Sequence, residues 1–110
     1  MTVRTLAERR QAEAARREAA AATLCRELAG AAGRFGGRYL LYGSAARGEV
    51  RHDSDVDLLL DFPDATSRSA AWTFAEDRCT ALGLFYDIRP IGMCDARFLA
   101  HVLPEAKVLG

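Results

Sequence analysis

Three aspartates and a glycine–serine pair form the pattern in this chain best suited to catalysis. Asp55 and Asp57 flank Val56, and Gly43-Ser44 precedes them across ten intervening residues. Along an extended segment side chains alternate between faces, so carboxylates two positions apart share a face at roughly 6 to 7 Å. Mg²⁺ takes carboxylate oxygens together with substrate phosphates and keeps several waters, so such a pair facing a cleft suits a nucleoside triphosphate. Taken alone, Asp55 and Asp57 read as solvated carboxylates at a strand start. The Gly-Ser pair at this distance turns the reading toward phosphate.

Gly43 lets the backbone approach a phosphate with no Cβ in the way, and Ser44 opens a short helical turn whose N–H groups favour anions. Arg47 follows one turn later and can offer its planar fork to phosphate oxygens, or simply be a surface arginine. Gly48 then lets the chain turn away. Asp87 lies between Tyr86 and Ile88 in an otherwise apolar run, where an unpaired charge is expensive to bury. Its partner is either a shared metal ion or an arginine, Arg89 or Arg34. With the metal it completes a carboxylate triad and draws the proton from an acceptor hydroxyl, whose oxygen then attacks the α-phosphorus in line.

The other chemistry-bearing residues read as incidental. His52 and His101 have no reciprocal spacing that suggests a metal site or relay. Cys25, Cys79 and Cys94 form no CxxC pair and read as small buried thiols. Trp72 reads as core or interface rather than ligand.

The elements that must position these residues are legible in outline. Arg4 to Ala32 is rich in Ala, Arg, Glu and Gln with no Pro and no Gly before Gly30, which predicts a long first helix ended by Gly30 and Gly33. Its early turns offer only alanine to a core and read as exposed or docked on a partner. Arg38 to Tyr42 reads as a short buried strand stopped by Gly43-Ser44, with a helical turn over Ala45 to Arg47. Asp55 to Phe62 suits a central strand. Thr66 or Ser67 caps the next helix, whose apolar face holds Ala70, Ala71, Phe74, Cys79 and Leu82. Leu84 to Arg89 is a third strand ended by Pro90 and Gly92, and Asp95 caps a last helix carrying Phe98, Leu99, Val102 and Leu103. The result is an α/β chain of about three strands flanked by helices, divided into an N-terminal helix over 1–33 and a domain over 34–110.

Bulk properties bound the partners. A length of 110 residues, half of them hydrophobic, fits one small core. Positive and negative side chains balance at 15 each, so no global field draws the chain to nucleic acid or an anionic membrane. Val56 to Leu60 is too short to span a bilayer and the N-terminus lacks a signal's apolar core, so no membrane association and a cytoplasmic location are expected.

The segment GSAARGEVRHDSDVDLLLDF, Gly43 to Phe62, closely resembles the signature of the minimal nucleotidyltransferases, the MNT branch of the DNA polymerase beta-like superfamily. The resemblance extends from about Tyr39 to Leu103. It implies a polymerase beta palm-like core with a mixed sheet, with Asp55, Asp57 and Asp87 as metal ligands and catalytic residues. Gly43 and Ser44 would hold the triphosphate, assisted by Arg47. It also implies Mg²⁺ as cofactor and ATP as substrate. This family is commonly encoded beside a HEPN-domain protein in a toxin–antitoxin pair, where the MNT partner adenylylates a tyrosine of the HEPN ribonuclease. The present N-terminal helix is longer than the short first helix such proteins carry. The leading expectation is therefore a Mg²⁺-dependent protein adenylyltransferase acting as antitoxin, and the alternative is an antitoxin that neutralises by binding alone. Transfer to a small molecule or RNA end would require an acceptor-binding wall from a partner or a second copy, so a homo- or hetero-oligomer is open.

Overall fold

The computed structural model describes residues 3–110, so Met1 and Thr2 of the expected N-terminal unit lie outside the described residues. The first helix, α1 (Leu6–Ala32), starts where Thr5 Oγ1 accepts the Glu8 N–H at 3.1 Å. Its alanine-rich composition carries it through Gly30, which stays inside the helix, and a 3₁₀ turn at Gly33–Phe35 follows. The left-handed turn falls at Gly36, φ 72°. Residues 3–11 are exposed, whereas Leu24, Leu28, Ala31 and Ala32 are buried. The helix thus has two halves: one in solvent, one in the core.

A four-stranded mixed sheet forms the centre, in the order β3 (Tyr86–Pro90), β2 (Val56–Asp61), β1 (Arg38–Tyr42), β4 (Lys107–Leu109). β1 (Arg38–Tyr42) runs antiparallel to β2 (Val56–Asp61), and β2 runs parallel to β3 (Tyr86–Pro90). The parallel pair needs a crossover, which α3 (Ala65–Ala81) supplies. The fourth strand, β4 (Lys107–Leu109), pairs antiparallel with β1 and raises the strand count above the three expected. Three residues at the end of the sequence carry too little periodicity to announce a strand.

Both faces of the sheet are covered, which explains the continuous apolar run Leu58-Leu59-Leu60 in β2, all fully buried. Tyr39, Leu41, Val56, Leu58, Leu60 and Ile88 face α1 and α3, where they meet Leu24, Leu28, Ala71, Ala75 and Cys79. Burial of each such Leu contributes about 1.5 to 3 kcal/mol. Leu40, Tyr42 and Leu59 point the other way, toward Val102, Phe98 and Leu99 of α4 (Ala96–Val102). Asp95 caps α4 as the sequence predicts, accepting from Phe98 N–H at 2.7 Å. The cap of α3, however, is Asp64 rather than Thr66 or Ser67: its Oδ2 accepts from Ser67 N–H at 2.8 Å. Ala70 is exposed, and the buried stripe of α3 is Ala71, Ala75 and Cys79. Trp72 packs partly buried against the core. No helix among the described residues is long and apolar enough to cross a membrane.

Candidate active site

Side-chain alternation in β2 decides where the carboxylates go. Leu58 and Leu60 enter the helix-covered core, so Asp57 and Leu59 face the α4 side. The parallel register sets Asp57 opposite Asp87, and the antiparallel register on its other side sets Asp57 opposite Tyr42. Tyr42, Asp57 and Asp87 thus form one row across three strands. Asp55 stands one residue ahead of β2, exposed, and lines a cavity of about 640 Å³ with Thr80, Gly83, Leu84, Phe85 and Tyr86.

Electrostatics in this row are those of crowded carboxylates answered in part by one guanidinium, that of Arg89. Burial, then the charges of Asp87 and Asp55, push the Asp57 carboxyl up from 3.8 to about 6. Tyr42 is buried, and that burial together with Asp57 and Asp87 raises its hydroxyl to about 12, so it stays protonated. Arg89, two residues on along β3, answers Asp87: its Nη2 donates to Asp87 Oδ2 at 2.9 Å. The guanidinium also lies over the Phe98 ring, 5.1 Å from its centroid, and Phe98 packs edge-on against Tyr42. Of the two partners the sequence leaves open for Asp87 among arginines, the structure shows Arg89; Arg34 lies instead over Phe35 and Phe74.

Gly43 opens α2 (Gly43–Ala46) directly after Tyr42, with φ 74°. A Cβ there would collide with the Asp57 carboxylate. The glycine is required, then, because Asp57 occupies the space beside it, a reason that adds to close phosphate approach. Ser44 is partly exposed in the same turn, and its carbonyl accepts the Glu49 N–H at 2.9 Å, folding the motif loop back on α2. Arg47 caps α2, and its guanidinium is shared between Glu49 at 3.1 Å and Glu105 at 3.4 Å, all three exposed. Gly43, Ser44, Asp57 and Asp87 are therefore brought together, Asp55 stands beside them, and Arg47 sits at the loop's outer end in ion pairs.

Among the described residues, no three His, Cys, Asp or Glu side chains converge closely enough to hold a metal ion. Asp87 leans to Arg89 and Asp55 lies outside the strand, so the carboxylates do not form a closed cage. Their chemistry nonetheless fits a hard divalent cation: carboxylate oxygens grouped where burial, and then neighbouring negative charge, have raised Asp57 to about 6. A separate depression of about 450 Å³, lined by Leu60 to Pro63, Arg68 and Pro90 to Met93, lies at the far end of β2 and touches none of the three aspartates.

Two residues of this neighbourhood escape a sequence reading. Tyr42 reads as one more strand residue, and only the β1–β2 register reveals it as the neighbour of Asp57. Arg17 reads as helix surface but is buried, with Nη1 donating to the Ser54 carbonyl at 2.9 Å. No periodicity in an Ala/Arg/Glu helix singles it out.

Residues 23–99 match the family model described as a nucleotidyltransferase domain. The match covers well over half of the chain and includes every residue of the row just described, together with α2 and the crossover helix. The chain belongs to the nucleotidyltransferase domain family, and its general chemistry is transfer of a nucleotidyl group. Comparison with curated proteins finds no match.

Proposed function

We propose that the chain transfers AMP from ATP to a hydroxyl of another protein, in the cytoplasm, with a tyrosine of a HEPN-type ribonuclease toxin as acceptor, and thereby acts as an antitoxin. The observation that carries the reading is the Asp57–Asp87 register, with Gly43 packed so closely on Asp57 that no side chain fits between them. Asp55, Asp57 and Asp87 would hold Mg²⁺. That ion would neutralise triphosphate charge and orient the α-phosphorus.

The protein's own residues account for the rest of the step. Gly43 and Ser44 present backbone N–H groups and a hydroxyl to the triphosphate, while Arg47 exchanges its exposed glutamates for phosphate oxygens. Asp87 accepts the proton of the acceptor hydroxyl. The acceptor oxygen forms a bond to the α-phosphorus, the bond from that phosphorus to the α,β-bridging oxygen breaks, and pyrophosphate leaves with the electron pair. Arg89, already bonded to Asp87, fixes the orientation of that carboxylate before the acceptor arrives.

Incubation of the partner protein with this chain, ATP and Mg²⁺, followed by intact mass measurement, tests the proposal. A gain of one or more AMP units that disappears with the Asp55→Asn/Asp57→Asn double variant supports it. An unchanged mass in a stable complex, with toxicity neutralised, supports an antitoxin that works by binding alone.

A further inference from the structure

Arg17 is the buried charged side chain of the described residues, and nothing in the transfer step uses it. Burying a guanidinium costs several kcal/mol unless it is fully bonded, so its contacts show what holds it there. Its Nε donates to Glu13 Oε1 at 3.0 Å and its Nη1 donates to the Ser54 carbonyl at 2.9 Å. Its guanidinium carbon lies 4.9 Å from the centroid of the Phe85 ring. The Glu13 carboxyl, hydrogen-bonded by Arg16 and then by Arg17, is held down at about 2 and stays ionised as counter-charge.

These contacts fall just ahead of the two strands that carry Asp57 and Asp87. Ser54 immediately precedes Asp55, and its Oγ accepts the Arg51 N–H at 2.7 Å, closing the turn that leads into β2. Phe85 immediately precedes β3, and its carbonyl accepts the Val56 N–H at 2.9 Å, the bond that begins the β2–β3 pairing. Next to it, Arg16 donates to the carbonyls of Leu82 and Gly83 at 3.2 and 3.1 Å, fixing the end of α3 from which β3 departs. One turn of α1 therefore grips the entrances of both strands. We infer that Arg17 is a positioning residue: through Ser54 and Phe85 it sets the relative placement of Asp55, Asp57 and Asp87. This rests on the reading of those carboxylates as the metal–nucleotide site.

The test compares wild type with Arg17→Met, which keeps the apolar stem and loses every donor, and Arg17→Lys, which keeps one donor for Ser54. Arg78→Met serves as control, because it breaks the Glu27–Arg78 ion pair between α1 and α3 without touching either strand entrance. Each is measured for melting temperature, for amide hydrogen exchange over residues 50–57, and for Mn²⁺ affinity in the presence of α,β-methylene-ATP. The expected result is exchange over 50–57 at least tenfold faster and Mn²⁺ affinity at least fivefold weaker in Arg17→Met, with substantial recovery in Arg17→Lys. Arg78→Met lowers the melting temperature and leaves both local readouts unchanged. If Arg17→Met and Arg78→Met change all three readouts in parallel, or wild type binds Mn²⁺ and Arg17→Met binds it equally well, the positioning role is overturned and the site reading stands. If wild type itself binds no Mn²⁺ with the nucleotide, the site reading fails and takes the inference with it.

Discussion

Asp57 is held in a state that costs the protein stability. Its carboxyl titrates near 6 rather than 3.8 because burial and two neighbouring carboxylates disfavour its charge. A raised acid binds its proton more tightly in the folded chain than in the unfolded one. The cost is therefore absent below about pH 4 and is incurred progressively as pH rises through about 6. Metal-free Asp57→Asn should accordingly be more stable than wild type at pH 7, by about 1 to 2 kcal/mol after allowance for partial solvent screening, and equal to it at pH 4. Urea unfolding at the two pH values measures this; a variant less stable at pH 7 would contradict it. Gly43 answers to the same carboxylate. Gly43→Ala incurs about 1 to 2 kcal/mol from its left-handed backbone alone, and the added methyl must also displace Asp57. Gly33→Ala, with open space and φ −62°, should be neutral or stabilising by up to about 1 kcal/mol. Thermal melts of the pair separate a glycine kept for the site from one that is not.

At the scale of elements, the parts that position the site were legible because each follows from a local rule. β1 falls at Arg38–Tyr42 as its apolar run predicts, and β2 lies inside the predicted Asp55–Phe62. The α4 cap at Asp95 follows from sequence in the same way. Long-range pairing was not legible. Nothing in Leu84 to Arg89 says that β3 runs parallel to β2 in the register that opposes Asp87 to Asp57, and nothing in Lys107 to Leu109 announces an edge strand. The α3 cap was misplaced by two or three residues because Asp64, Thr66 and Ser67 are all capping types following Pro63, and only backbone conformation selects among them. Asp64→Ala should cost about 1 kcal/mol and Thr66→Ala close to nothing, read from denaturation midpoints. Equal losses would return the cap to the hydroxyl side chains.

Across the whole molecule, the two halves of α1 have different tasks. From Glu13 onward the helix bonds the strand entrances and then fills the core, while residues 3–11 are exposed throughout. Removal of residues 1–11 should leave the melting temperature within about 2 °C of the full chain, since no buried side chain is lost among the described residues 3–11. A larger drop would show that the exposed turns carry stability after all. The balance of 15 acidic and 15 basic side chains provides no global attraction for a triphosphate, so under the proposed reading local groups at the row of Asp57 and Asp87 must supply it.

Under the proposed function, the row of Asp57 and Asp87 seats a metal-bound nucleotide. The most direct measurement is a crystal of the protein grown with Mn²⁺ and α,β-methylene-ATP, with data collected for anomalous scattering from manganese. The expected result is an anomalous peak against the carboxylates of Asp57 and Asp87, with the triphosphate on Gly43 and Ser44. Manganese and nucleotide seated instead in the depression lined by Leu60 to Pro63 and Pro90 to Met93, away from all three aspartates, would contradict it.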